Sequence, residues 1–480
     1  MSENLKEQDI PKALLVLGNG FDLYCNLPSS YIEFLDYIFK EKIGISPREL
    51  EEMGNISVTK YCSEEIGNYL NQVNFSYDNV KKSDIIPELN PWYIIFLYRH
   101  LLTNSDWYVI ESQIAQELSS DNKKLNIVEK IGDSLLGINY NERVRYRAQN
   151  YALTKTGEVN SIEKIYELLA YCLLYKDIRR LKLQSSHELY GELRDLVKKL
   201  SIEYREIISP IDRASNDDSL FEQKIINELF PIVSRVLLAE LKELEFDFSI
   251  YLGSCLQESG RDYYNSAQKL THKILDVCKD FCEDDYKNKA SNSEQGFNIL
   301  SFNYTKPWEM GGNRLFNKAI ETVNVHGMID DNFGEDSNGY DGIVFGVDDE
   351  SVLPSTNEYI FTKTSRTLDL YTDDNLSNLS HVKLSNLLVP TIENVVFFGH
   401  SLSKADYSYF RMIFDKFIEN ENTNFIFVYS VFESTTREKQ RRNLIQQVSS
   451  IFGDYSIEKR RNTDIFKELI QNNRIRIEEI

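Results

Sequence analysis

The sequence predicts an α/β protein: a parallel sheet built from both chain ends and interrupted by a large α-helical insertion. Three observations carry this. An apolar run near the start, Ala13-Leu14-Leu15-Val16-Leu17, passes directly into Gly18-Asn19-Gly20-Phe21-Asp22. A short aliphatic run of this kind is the signature of a strand covered on both faces. The other strand candidates all lie beyond residue 295. Between about 45 and 290, apolar residues recur every three or four positions and glycine is sparse, which is helical periodicity. A lone strand is not stable, so 13–17 must find its partners in the later part of the chain. The expected division is a discontinuous sheet domain, 1–44 plus 295–480, and a helical insertion, 45–294.

Taken in order, the strand candidates after 13–17 are 297–302, 322–325, 342–346, 395–399 and 424–429. A short alternating one, Arg474 to Glu478, follows. Most are aliphatic or aromatic runs bounded by turn residues. Amphipathic helical stretches fall at 92–103, 107–119, 161–175, 186–208, 220–242 and 261–286. Polar loops break the pattern near 54–88 and 119–160, and 210–219 and 287–296 read as linkers.

Composition bounds the function. The chain of 480 residues carries 54 Lys and Arg against 75 Asp and Glu, a net charge of −21. That opposes nucleic-acid binding, which needs cations to displace counterions from phosphates. No run approaches the roughly 18 apolar residues that span a bilayer, and Met1 to Lys12 is polar with no apolar signal segment. The expectation is a cytoplasmic protein with no membrane partner. Six cysteines are scattered: Cys25, Cys62, Cys172, Cys255, Cys278 and Cys282. Only the last two are close, and no second pair follows at a zinc spacing. They read as reduced thiols, and no metal is expected.

Ligands of open α/β sheets bind outside the carboxyl ends of the strands. Several candidate strands end in polar or glycine-containing motifs: Gly18-Asn19-Gly20 with Asp22, Asn303-Tyr304-Thr305, His326-Gly327, Val347-Asp348-Asp349, and His400-Ser401 after Gly399. If the strands are parallel, these motifs converge at one rim. A Gly-x-Gly turn lets backbone N–H groups approach a phosphate. Each motif also has a plainer reading. The glycines suit a tight turn, Asn303 closes a turn, and His326 ends a strand. Ser401 or Ser403 caps a helix, and Asp348 with Asp349 forms a solvated loop.

As a set, these residues resemble the bacterial AbiH family of phage abortive infection. The resemblance rests on Gly18 to Asp22, Asn26 to Tyr31, Ser301 to Thr305, Val325 to Gly327, Phe345 to Asp349 and Phe398 to Tyr407. Trp107 to Glu111 in the helical block adds to it. AbiH is in turn similar to the sirtuin-like, Rossmann-type NAD-binding fold, with Gly18, Gly20 and Pro28 on the positions of the sirtuin phosphate loop. The resemblance implies a nucleotide-binding sheet domain and an antiphage effector that hydrolyses NAD, its substrate, to nicotinamide and ADP-ribose. Gly18, Asn19 and Gly20 would hold the pyrophosphate. Asn303 would orient the ribose and the water, and His326 would act as the base. Asp22, Gly399, His400 and Ser401 would contact the rest of the cofactor. Glu111, on one helix face with Trp107, would approach the nucleotide. A phage-derived trigger and a homo-oligomer are the implied partners. The chain departs from the sirtuin pattern at Ser29, Tyr31 and Thr305 and lacks the structural zinc cysteines, which argues against protein deacetylation. The alternative is a non-catalytic module sensing a nucleotide or a phage protein.

Overall fold

A computed structural model describes residues 10–43, 90–96, 110–119, 126–138, 166, 169–170, 172–174, 176, 186–207, 217–279, 296–308, 318–329, 343–347, 352–372, 384–402, 406–431, 436–460 and 464–480. The chain divides into two compact units. One comprises Met1–Ser30, Phe248–Val344 and Thr367–Ile480; the other comprises Tyr31–Asp247 and Phe345–Arg366.

The first unit is organised by a six-stranded parallel sheet: β1 (Pro11–Leu17), β2 (Gly296–Ser301), β3 (Ala319–Asn324), β4 (Asn394–Phe398), β5 (Asn424–Tyr429) and β6 (Ile475–Glu479). The strands lie in the order β3-β2-β1-β4-β5-β6. This is a Rossmann-like order, with the direction of winding reversing between β1 and β4. Leu14 of β1 stands opposite Asn298 on one side and Val395 on the other. Every residue of β2 and β4 is buried, which explains why these strands read as continuous apolar runs rather than alternating ones. The edge strands β3 and β6 are mostly half-buried. Their charged residues, Glu321, Arg476, Glu478 and Glu479, discourage further strand pairing.

On one face Leu14, Val16, Leu300, Val395, Phe397 and Phe427 meet the helices Tyr407–Phe417 and Arg437–Glu458. The Phe397 and Phe427 rings stack at 4.6 Å, as do Phe414 and Phe452 at 4.5 Å. Pairs of this kind contribute about 0.5–1.5 kcal/mol each beyond the area they bury. The buried Arg474 donates to the carbonyls of Phe417, Ile418, Asn420 and Thr423. It thereby satisfies the last turn of the helix Tyr407–Phe417, whose terminal carbonyls have no partners within the helix.

The second unit is helical among its described residues, with helices at Tyr31–Ile43, Ile110–Leu118, Ile127–Ile138, Ser186–Ile207 and Asp217–Lys224. Buried polar ties hold it. Arg366 grips Glu245 with both terminal nitrogens, at 2.9 and 2.6 Å, and Glu245 also accepts the Phe345 N–H. Trp92 Nε1 donates to the Leu237 carbonyl at 2.9 Å. Glu240 is held by Lys176 and Tyr190. The helical stretch Phe230–Lys279, which begins in this unit, is broken at Gly260 in the first unit, whose φ of 49° and ψ of −133° suit glycine alone. No helix among the described residues is long and apolar enough to cross a membrane.

Three sequence expectations need correction. The strand expected at 342–346 is not one over its described residues, 343–346; the nearest pairing is a single bridge, Val347 to Thr362. Ile343, Val344 and Phe345 are buried, so the apolar run reported burial rather than ladder pairing. The strand expected at 322–325 is β3, Ala319–Asn324, which begins three residues earlier through the polar Glu321. The linker expected at 210–219 is helical from Asp217 onward.

Candidate functional site

At the carboxyl rim of the sheet, the turn leaving β1 is packed against the turn leaving β4. The Gly18 N–H donates to the Phe398 carbonyl at 2.9 Å and the Gly20 N–H to the Gly399 carbonyl at 2.8 Å. A Cβ on Gly18 would lie 2.5 Å from His400 Cα, and one on Gly20 would lie 2.6 Å from Gly399 Cα. Gly399 itself has φ +71°. The glycines are therefore required by backbone-to-backbone approach across the switch point. Of the expected pyrophosphate cradle, the Gly18 and Gly20 N–H groups are committed to carbonyls of the neighbouring turn. Asn19 serves the same loop: its side chain accepts from the Ser29 hydroxyl at 2.6 Å and donates to the Ser29 carbonyl at 3.3 Å.

Behind this turn lies Asp22, only 1 % exposed. Its Oδ1 is 2.8 Å from the Tyr263 hydroxyl and its Oδ2 is 2.8 Å from the Thr305 hydroxyl, while those two hydroxyls are 2.9 Å apart. Burial raises the Asp22 carboxyl from 3.8 to about 6, against the opposing effects of Tyr263, Thr305 and the nearby Asn303 amide. Hydrogen counting agrees. Three oxygen–oxygen contacts need three protons, and two hydroxyls supply two; the ring closes only when the carboxyl brings the third. Cys25 is pushed up to about 12 by burial and then by the Asp22 charge. It is therefore not a thiolate nucleophile at neutral pH.

Asn303 follows the end of β2 and is 2 % exposed. Its backbone N–H is held by Ser301 Oγ, and its carbonyl accepts from Asn324 Nδ2, which also reaches the Thr305 carbonyl. The loop is thus fixed from the neighbouring strand. The side-chain amide makes no hydrogen bond of good geometry among the described residues, although it lies close enough to the Asp22 carboxyl to favour its charged form.

On the other side of Phe302, His326 Nε2 lies 3.0 Å from Asp406 Oδ1, and His400 Nε2 lies 3.2 Å from Asp406 Oδ2. All three side chains are buried. Asp406 occupies the N-cap position of the helix Tyr407–Phe417 yet makes no cap hydrogen bond, although an N-cap carboxylate ordinarily accepts from the first-turn N–H groups. It is turned to the two imidazoles instead. His326 Nε2 is close to the carboxylate without meeting hydrogen-bond geometry.

The rim therefore gathers Gly18, Asn19, Gly20, Asp22, Asn303, His326, Gly399 and His400 in one unit, but as two clusters. Asn303 faces the Asp22 group, and His326 faces Asp406. Ser401 is exposed beside His400. In the second unit Glu111 is 3.0 Å from Lys363 Nζ; Trp107, Asp348 and Asp349 lie outside the described residues. Sequence reasoning missed Asp406 and Tyr263 as site residues. Asp406 lay within the helix expected to be capped by Ser401 or Ser403, and Tyr263 is one aromatic among many on a helix; no local spacing marks either.

Residues 14–429 match the family described as Bacteriophage abortive infection AbiH. The chain belongs to the AbiH family. The matched region opens inside β1 and closes at the last residue of β5, so it takes in both clusters of this AbiH protein. No curated protein and no solved structure matches the chain.

Proposed function

We propose that this AbiH protein is an abortive-infection effector that hydrolyses NAD to nicotinamide and ADP-ribose at the carboxyl rim. The supporting observation is Asn303: its buried amide makes no well-formed hydrogen bond, a condition that costs about 1–3 kcal/mol, and a ligand that supplies both a donor and an acceptor recovers it. In this reading Asn303 orients the ribose and a water molecule. As the bond from ribose C1′ to nicotinamide breaks, its electron pair leaves with the neutral base, and the water oxygen bonds to C1′. The water proton passes to His326 at the ring nitrogen turned away from Asp406, then to solvent, and the Asp406 charge offsets the imidazolium. Such a reaction depends on charge placement and an oriented water more than on a strong nucleophile. Gly18 and Gly20 act by letting the two turns close, not by offering N–H groups. A phage-derived trigger releases the activity.

The test is to incubate the purified protein with NAD, alone and with phage lysate, and to separate nicotinamide and ADP-ribose by chromatography. Asn303→Ala and His326→Ala should each abolish NAD loss and phage-triggered toxicity while the melting temperature is kept. General-base removal alone lowers rates by roughly 10² to 10⁴. Full phage protection by both variants would replace the enzymatic reading with that of a non-catalytic sensor.

A further inference from the structure

We propose that His400 is a positioning residue which, through Asp406, fixes His326 for proton transfer. The proposal rests on the NAD-hydrolase reading above and gives His400 a role other than cofactor contact. The Leu402 N–H donates to His400 Nδ1 at 2.8 Å. A neutral imidazole whose Nδ1 accepts must carry its proton on Nε2. That nitrogen is the one 3.2 Å from Asp406 Oδ2. With one carboxylate oxygen turned to His400, the other lies 3.0 Å from His326 Nε2, a close approach and not yet a formed hydrogen bond. Asp406 is thus held between two rings, and its orientation is set by the one whose tautomer the backbone dictates.

The surroundings are built to the same end. The loop that delivers His400 carries two left-handed residues, Gly399 at φ +71° and Leu402 at φ +52°. The second is a leucine, for which that conformation is strained, and such strain persists where the surrounding structure holds a functional geometry. Gly18 has no Cβ, which admits the His400 backbone at the switch point. The edges of Phe302 and Phe410 clamp the His400 ring, with centroids at 4.4 and 4.9 Å. Phe302 and Tyr409 do the same for His326 at 5.5 and 6.0 Å. Phe302 touches both rings, so their relative placement is fixed by packing as well as by the shared carboxylate.

The experiment has two arms on the full chain. In the kinetic arm, His400→Leu should lower kcat for NAD roughly ten- to a hundredfold, the scale of one hydrogen bond to a charged group, with KM unchanged. His400→Gln, whose amide can reach the same carboxylate oxygen, should restore most of kcat. A raised KM with kcat kept, or equal losses in the Leu and Gln variants, overturns the proposal. In the second arm, nitrogen chemical shifts of labelled histidine in the unmutated protein should show His400 protonated at Nε2 alone. Asp406→Asn should move the ring signals of His326 and His400 while those of His187 and His272 stay. A His400 protonated at Nδ1, or a His326 signal indifferent to Asp406, overturns it regardless of activity. If the unmutated protein cleaves no NAD, the hydrolase reading fails and the second arm alone decides the positioning chain.

Discussion

Asp22→Asn isolates the electrostatics of the rim. In the unfolded chain the Asp22 carboxyl titrates near 3.8, and in the folded chain at about 6. Between those values the native state holds a proton that the unfolded state has released. The stabilisation tied to that proton is fully present below about pH 4 and is lost as pH rises through about 6. A difference of about two pKa units corresponds to about 3 kcal/mol. Because Asp22 is 1 % exposed, solvent screening takes little from this. Asparagine does not titrate, so the difference in stability between wild type and Asp22→Asn should fall by that amount between pH 4 and 8. Groups common to both proteins cancel. At roughly 2–4 °C per kcal/mol for a unit of this size, calorimetry should show the wild-type melting temperature dropping by roughly 6–12 °C relative to the variant. A difference that stays flat across this range would refute the buried-proton account and the closed ring of Asp22, Tyr263 and Thr305.

Two further outcomes are expected. Asn303→Leu should leave the melting temperature unchanged or raise it, because it removes a buried amide that makes no well-formed hydrogen bond and restores no cost of its own; a clear fall would show that the folded chain satisfies this amide internally. Gly18→Ala should destabilise by about 1–3 kcal/mol through overpacking, since its Cβ would meet His400 Cα at 2.5 Å, and an unchanged thermal melt would show that the two turns are not locked together.

The legibility of the sequence varied with the kind of information each residue carries. β1, β2, β4 and β5 were readable because a strand buried on both faces must be apolar throughout, and runs such as Leu14 to Leu17 or Phe425 to Val428, short and closed by turn residues, fit a strand better than a helix. The same rule failed at 342–346, where burial without pairing gives an identical pattern. Gly18 and Gly20 mark the meeting of two turns. Their spacing suits a phosphate turn and a turn-on-turn contact equally, and only the partner turn at Gly399 distinguishes the two. His326 and His400 stood out as rare residue types at strand ends. Asp406 and Tyr263 did not, because their roles exist only once distant segments meet: Asp406 beside two imidazoles from separate strands, Tyr263 beside Asp22 and Thr305.

The position of β1 has a consequence for synthesis on the ribosome. This strand lies inside the sheet between β2 and β4, yet it emerges before either neighbour has been translated. At about 5–20 residues per second, β4 follows on the order of 20–80 s later. Until β2 has been made, the apolar Leu14 to Leu17 segment has no native strand to pair with and invites holding by a chaperone, and its β4 side stays open for longer still. The same delay is a safeguard. His326 and Asp406 cannot meet, and the turn of Gly18 cannot close on Gly399, until the late strands have been made. A nascent or prematurely terminated chain therefore lacks the assembled rim, and on the proposed reading it has no activity to release.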